Sequence, residues 1–229
     1  MPAVGNFIMK IRTESEILFE RFCSETGVSY TRIPPEPRFG RRTPDYELHV
    51  QVPSLLAEVK QIDPNAEDKA VFRKFQQTGV LEFEGIPGKR LRNKISEAAS
   101  QLKARVGQNQ PTLLVIYNNV DVLQGFTGPD AMMSAMYGLY EVILIKTSRP
   151  RRQILGASHR LGGKRKLTPE HNTTLSAVAA LFEWPEGPYL VLYHNKFAAN
   201  PISPKVLRRP RIYQRAICET GNGEFPKWI

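Results

Sequence analysis

Hydrophobic and polar positions along the first half of the chain predict a helix, three short strands, a second helix and one long apolar strand. Residues 14–26 repeat apolar side chains at helical spacing, Thr13 and Glu16 form a capping box, and Gly27 stops the helix. Strands are predicted over 28–33, 46–50 and 55–61, a helix over 91–106, and an apolar central strand over 112–117. The buried stripe predicted for the first helix is Ile17, Leu18, Phe22 and Cys23.

The pattern after residue 117 is less regular. It predicts a short Met-rich helix over 131–137 and strands over 142–147 and 189–193. Three segments keep two interpretations each. Residues 66–77 are a helix or an ordered loop, 173–182 are a strand or a buried helix, and 153–157 with 164–167 form a hairpin or are disordered without a partner.

The candidate catalytic residues lie in and beside the second and third predicted strands. Pro44 and Asp45 stand where the second strand begins, and Glu58-Val59-Lys60 follow an apolar run within the third. Side chains alternate along a strand, so Glu58 and Lys60 share one face while Val59 points into a core. If the two strands form a hairpin, the Asp45 carboxylate meets that of Glu58. Two carboxylates at one point suit Mg²⁺, although an acid and a base on one strand can also be a solvated charge pair.

The residues Pro44, Asp45, Glu58 and Lys60 resemble the motif of the PD-(D/E)xK nuclease superfamily. The predicted order of elements over residues 14–117 is similar to that superfamily's αβββαβ core. The resemblance implies an α/β, restriction-endonuclease-like fold with a mixed sheet flanked by helices. We therefore expect one nuclease-like domain, with a core at about 14–147 and a basic C-terminal extension at about 148–229.

The same resemblance implies roles for individual residues. Asp45 and Glu58 would hold Mg²⁺, with Mn²⁺ as a substitute, and Lys60 would orient the attacking water and offset phosphate charge. Glu20, in the sequence Leu-Phe-Glu ahead of Gly27, would join this metal site and is preferred to Glu16. Gln101 on the second helix would lie near the catalytic centre. Without the resemblance, Glu20 belongs to an exposed acidic face and Gln101 to the edge of a buried stripe.

The positive charge lies in the last third of the chain. Residues 1–145 carry 17 basic and 17 acidic residues, whereas residues 146–229 carry 15 basic and 5 acidic ones. Such a one-sided excess is typical of proteins that bind a polyanion, and solvated basic loops are the alternative. A basic loop over 38–42 also leads into the motif. The predicted nucleic-acid-binding residues are Arg41, Arg42, Arg149, Arg151, Arg152, Arg160, Lys164, Arg165 and Lys166.

Several functional classes are disfavoured by composition. No stretch is long and apolar enough to span a membrane, and the first twelve residues do not match a secretory signal. Cys23 and Cys218 are expected as free thiols in a reducing compartment, the cytoplasm. The cysteines and histidines lack zinc-site spacing, and His194 is interpreted as a hydrogen-bonded structural residue. No phosphate-binding loop of the Gly-x-x-x-x-Gly-Lys-Ser type is present, so ATP hydrolysis by this chain is not expected.

The function predicted from these features is metal-dependent phosphodiester hydrolysis, by an endonuclease rather than an exonuclease, with DNA favoured over RNA. Cutting both strands of a duplex would favour a homodimer, because one site cuts one strand at a time. Two alternatives stay open. The chain is a non-catalytic nucleic-acid-binding module that uses its basic last third, or a scaffold subunit whose charge binds an acidic protein.

Overall fold

A computed structural model of the protein describes residues 12–34, 43–81, 85–107, 109–120, 124–146, 154–218 and 226–229. Four α-helices lie within these ranges: α1 (Glu14–Thr26), α2 (Ala66–Thr78), α3 (Lys89–Lys103) and α4 (Pro129–Tyr137). A short 3₁₀ helix at Gln124–Thr127 precedes α4.

Within the same described ranges, seven strands form the central sheet, and four others form two small ribbons. The central strands are β1 (Tyr30–Arg32), β2 (Tyr46–Leu48), β3 (Leu55–Ile62), β4 (Thr112–Asn118), β7 (Ala177–Phe182), β8 (Tyr189–His194) and β9 (Ile212–Arg215), in the order 1-2-3-4-7-8-9. The pairs β3/β4, β4/β7 and β8/β9 are parallel and the other three are antiparallel, so the sheet is mixed. The ribbons pair β5 (Tyr140–Lys146) with β6 (Ile154–Leu161), and β10 (Ile217–Cys218) with β11 (Lys227–Trp228).

The central sheet has a hydrophobic core on each face. Alternation along β3 sends Ala57 and Val59 to one face, where α1 contributes Phe19 and Phe22. The other face carries Leu56 and Ile62 of β3 and is covered by α3 and α4. Strands that are buried on both sides need continuous apolar runs, which explains the sequences of β3, β4 and β7.

The predicted first helix is confirmed, including its capping box and the left-handed Gly27 at its end, where φ is 65°. Its predicted buried stripe is wrong at Ile17, whose exposure is 55 %. Successive helical residues are about 100° apart, so a stripe centred on Leu18 and Phe22 leaves Ile17 on its flank. Phe19 takes the place in the core that the sequence pattern assigned to Ile17.

The structure decides between the two interpretations of each ambiguous segment. Residues 66–78 are helical, with Asn65 and Asp68 forming a capping box, and residues 177–182 are a buried strand. The predicted hairpin between 153–157 and 164–167 is wrong, because β6 pairs with β5 instead. Leu167 is fully buried, and its amide bonds the Met136 carbonyl at 2.8 Å, which holds that segment against α4.

The last third of the chain is part of the sheet. Strands β7, β8 and β9 all follow residue 148 and complete the central sheet beyond β4. The basic segment expected as an extension therefore contributes to the same hydrophobic cores as the first half. Cys23 and Cys218 are both free thiols, as predicted. Over the described residues, no helix has the length and apolarity that a membrane crossing requires.

Candidate active site

The antiparallel pairing of β2 with β3 brings Asp45 beside the Glu58 segment. Tyr46 lies opposite Ala57, and the Asp45 amide donates to the Ala57 carbonyl at 3.1 Å. The Asp45 side chain turns toward the same strand, since its Oδ2 accepts a hydrogen bond from the Val59 amide at 2.9 Å. The predicted hairpin is therefore present, and it holds the Asp45 carboxylate next to the residue that follows Glu58.

Glu58 is a buried carboxylate with one unused oxygen. Its exposure is 1 %, its Oε1 lies 2.6 Å from the Lys60 ammonium, and its buried Oε2 has no hydrogen-bond partner among the described residues. Burial and the nearby Asp45 charge raise the pKa of Glu58 to about 7, against the opposing effects of Lys60 and Gln101. An unpaired buried carboxylate oxygen is costly and would be satisfied by a cation or a donor.

Lys60 connects the strand to α3. Its Nζ donates to Gln101 Oε1 at 2.7 Å in addition to its ion pair with Glu58. Gln101 is mostly buried on the face of α3 that packs on the sheet. Val59, between the two charged residues, points into the α1-side core, as the alternation predicted. The structure thus brings Asp45, Glu58, Lys60 and Gln101 to one place.

Glu20 is not brought to this place. It accepts from the Tyr46 hydroxyl at 2.9 Å and pairs with Arg12 at 3.0 Å, on the face of the sheet that α1 covers. Glu58 points to the opposite face, toward α3, so the sheet separates the two carboxylates. Glu16 also has other partners: it closes the capping box of α1 and pairs with Arg32 at 3.0 Å.

The remaining carboxylate pair has the chemistry of a divalent-cation site. Among the described residues, His, Cys, Asp and Glu side chains form no group of three or more that could hold a metal ion. The negative charges of Asp45 and Glu58 nevertheless repel one another. A hard cation bound at the Oε2 of Glu58 would relieve this repulsion. The chemistry of the pair would therefore suit Mg²⁺ or Mn²⁺, and water or substrate would have to supply the remaining ligands.

The predicted nucleic-acid-binding residues lie in different surroundings. Arg160 is exposed on β6 and pairs with Glu141 at 2.8 Å. Lys164 and Arg165 are exposed, and Lys166 is half-buried in the segment that follows β6. The others fall outside the described residues: Arg41, Arg42, Arg149, Arg151 and Arg152.

Sequence patterns missed one buried cation and correctly interpreted one histidine. Arg92 is 5 % exposed in the first turns of α3, although its sequence position looks like that of an ordinary surface arginine. The sequence feature that could have indicated this buried arginine is the first turn of α3, which contains basic residues and no acid. His194 Nε2 lies 2.9 Å from Gln214 Oε1, consistent with a hydrogen-bonded structural role.

Comparison with models of protein families, with curated proteins and with solved structures finds no match to this chain.

The contribution of Glu58 to the stability of the metal-free protein should fall as pH rises from about 4.5 to about 7.5. Because the pKa of Glu58 is about 7 in the folded state and near 4.5 when unfolded, the folded state retains a proton that the unfolded state loses between these values. This contribution is complete below pH 4.5 and is lost as pH rises to about 7.5, which removes roughly 3 kcal/mol of unfolding free energy. Urea unfolding in EDTA at a series of pH values measures it.

The matched variants for this experiment are Glu58→Gln and Glu97→Gln. Glu58→Gln should show a flatter dependence of unfolding free energy on pH than the parent. Glu97 is exposed on α3, so Glu97→Gln should keep the parent dependence. Equal slopes in the parent and Glu58→Gln would show that Glu58 does not titrate in this range.

Proposed function

We propose that this chain is a metal-dependent nuclease that hydrolyses phosphodiester bonds within DNA. The observation that supports this most directly is the buried Glu58, with one oxygen free, beside Asp45 and Lys60. A carboxylate with a raised pKa, placed with a second acid and a base, is a candidate arrangement for metal-assisted phosphate chemistry. The resemblance of these residues to the PD-(D/E)xK motif supports the same reaction class.

Asp45 and Glu58 would hold the divalent cation. When bound, Mg²⁺ would lower the pKa of a water molecule and offset charge that develops on the phosphate. The Val59 amide fixes the Asp45 carboxylate, and burial fixes Glu58, so neither acid has to reorganise before binding.

Lys60 would contact the substrate directly. An ammonium group has three donors, and in the described residues two of them are used, by Glu58 Oε1 and Gln101 Oε1. The third donor is left for a phosphate oxygen or the attacking water. Gln101 acts through Lys60: it fixes the direction of the ammonium and is therefore a positioning residue in this mechanism.

DNA recognition would come from the basic last third of the chain. The excess of ten positive charges lies in residues 146–229, and phosphate contacts bind nucleic acid without regard to sequence. No ATP-binding motif is present, so the proposed cleavage uses only substrate, water and cation.

One observation favours the alternative, a nucleic-acid-binding module that does not cleave. Glu58, Lys60 and Gln101 already form a hydrogen-bonded chain of opposite charges and an amide, which could be structural. In that case the basic surface would work alone, and the carboxylates would hold no cation.

A cleavage assay distinguishes the two functions. Purified protein is incubated with double-stranded DNA, single-stranded DNA and RNA, in Mg²⁺, in Mn²⁺ or in EDTA. We expect cleavage of DNA with either metal and none in EDTA, and Asp45→Asn should lose it because the charge that holds the cation is halved. Glu97→Gln is the matched control and should cleave like the parent.

Metal binding is also measured without nucleic acid. At ten times its dissociation constant, Mg²⁺ should raise the unfolding free energy of the parent by about 1.4 kcal/mol and the melting temperature by a few degrees. At one fixed Mg²⁺ concentration the shift should be larger at pH 8 than at pH 5.5, because protonated Glu58 is a poor ligand. Nucleic-acid binding without cleavage and without a Mg²⁺-dependent shift would support the binding module.

A further inference from the structure

A basic pocket lies between α3 and the segment that follows β6. It is an open cavity of about 270 Å³, lined by Ile86, Lys89, Arg92, Asn93, Lys164, Arg165 and Lys166. Five of these seven residues are lysine or arginine, and none is acidic. Its positive charge is therefore not balanced by the residues that form it.

Arg92 is the most deeply buried cation of the pocket, with an exposure of 5 %. Its guanidinium is buried, and within the described structure its hydrogen bonds all use Nη1, which donates to the Pro87 carbonyl at 2.9 Å and to Ser134 at 3.4 Å. Among the described residues no carboxylate pairs with it, and burial lowers the pKa of Arg92. A buried charge without a counter-charge is unfavourable, so an anion in the pocket would offset this cost.

The start of α3 adds to the same imbalance. Gly88 caps the helix without a side-chain hydrogen bond, and the first turn contains no acid. Lys89, Arg90 and Arg92 instead lie at the positive end of the helix dipole, where cations are disfavoured and anions are stabilised. Arg90 is paired with Asp68 at 2.7 Å, whereas Lys89 and Arg92 face the pocket.

Both walls of the pocket are fixed by packing. A Cβ at Gly88 would approach the Ala131 carbonyl oxygen to 2.6 Å, so only glycine allows α3 to begin this close to α4. On the other side, the Lys166 amide bonds carbonyls of α4 at 3.2 Å, and Leu167 is buried beside it. Lys164 has a left-handed backbone, with φ of 63°, which turns the chain at this point. The pocket is thus assembled before any ligand arrives.

We infer that this pocket binds a phosphate group, and that the phosphate belongs to a nucleic-acid strand. Several cations around a buried guanidinium match a phosphate, which is compact and carries several acceptor oxygens. The choice of a nucleic-acid phosphate rests on the proposed function, whereas binding of phosphate itself does not. The inference places the phosphate contact of the basic segment against α3 rather than on the β5–β6 ribbon.

The first experiment uses inorganic phosphate and no nucleic acid. The melting temperature is measured in phosphate and in sodium chloride of equal ionic strength. The pocket variant carries Lys89→Gln, Lys164→Gln and Lys166→Gln. The control variant removes three exposed lysines outside the basic last third: Lys69→Gln, Lys74→Gln and Lys103→Gln.

Phosphate should raise the melting temperature of the parent and of the control variant. It should not change the melting temperature of the pocket variant. An equal rise in all three proteins would place phosphate elsewhere and overturn the pocket. No rise in any of them would overturn it as well.

The second experiment uses a labelled DNA oligonucleotide in EDTA, with every protein also carrying Glu58→Gln. The logarithm of the association constant is plotted against the logarithm of the salt concentration. The slope of the pocket variant should be shallower than that of the control by about 0.9, the value for one lost phosphate contact on duplex DNA. Equal slopes would overturn the nucleic-acid source, and a phosphate effect in the first experiment would then indicate a free phosphate or nucleotide.

These outcomes are independent of the nuclease proposal. Neither experiment measures cleavage, and the second is done without metal and without the Glu58 charge. A chain that cleaves DNA but shows equal slopes retains its proposed function and loses the assignment of the pocket to a nucleic-acid phosphate. If the protein does not cleave DNA but shows the slope difference, the pocket proposal stands and the nuclease proposal is rejected.

Discussion

Glu58→Gln is expected to abolish metal-dependent DNA cleavage while leaving DNA binding largely intact. The substitution keeps the shape of the side chain and removes the charge that would hold the cation with Asp45. Lys60→Ala should have a similar effect, because it removes the ammonium that lies 2.6 Å from Glu58 and has one donor left for substrate. Each change should slow cleavage at least a hundredfold, about 3 kcal/mol of transition-state stabilisation, measured in single-turnover assays at saturating protein.

Two nearby residues on α3 provide controls of matched chemistry. Glu97→Gln and Lys94→Ala remove the same charges from a surface pair whose atoms are 3.9 Å apart. Exposed pairs of this kind contribute little, so both variants should cleave and melt like the parent. If Glu58→Gln binds and cleaves DNA like the parent, the carboxylates have no catalytic role and the binding module takes the place of the nuclease.

Val59→Asp should unfold the protein, although it changes the residue between two candidate catalytic positions. Val59 is buried in the α1-side core with Phe19 and Phe22, where an aspartate would have no counter-charge. Burying an unpaired carboxylate there should cost at least 4 kcal/mol, a large part of the stability of a domain this size. Circular dichroism and urea unfolding measure the loss.

Val59→Ala separates lost packing from buried charge. It should stay folded and lose on the order of 2 kcal/mol of unfolding free energy, because it removes two methyl groups from a core position. A Val59→Asp protein with the parent's stability would mean that residue 59 faces solvent. The assignment of Glu58 and Lys60 to the face opposite Val59 would then be wrong as well.

Much of the site could be predicted because it depends on local rules. Side-chain alternation on β3 determines that Glu58 and Lys60 share a face and that Val59 does not, wherever the strand lies in the fold. The Asp45 position followed from the short separation of two strand patterns, which favours an antiparallel pair. Gln101 followed from the regular stripe of α3 and from the resemblance, and the structure places it on Lys60.

The position of Glu20 could not be obtained in this way. Its helix, its capping box and its stop at Gly27 are all visible in the sequence, yet none of them tells which face of the sheet the helix covers. That choice is made by packing: Phe19 and Phe22 are buried with Ala57 and Val59, and this places Glu20 on the Tyr46 side. Sequence patterns that correctly predict a helix can therefore leave open which face of the sheet its side chains approach.

The sequence by itself determined helices α1 and α3, the apolar strands β3 and β4, and the shared face of acid and base on β3, because these are set by neighbours within one or two turns or strands. Only the tertiary structure decided that the basic last third supplies three strands of the central sheet, and that segment 164–166 meets the start of α3. Strand order and the pocket around Arg92 depend on contacts between residues far apart in the chain. Hydrophobic burial selects those contacts from the whole molecule at once, so no local pattern encodes them.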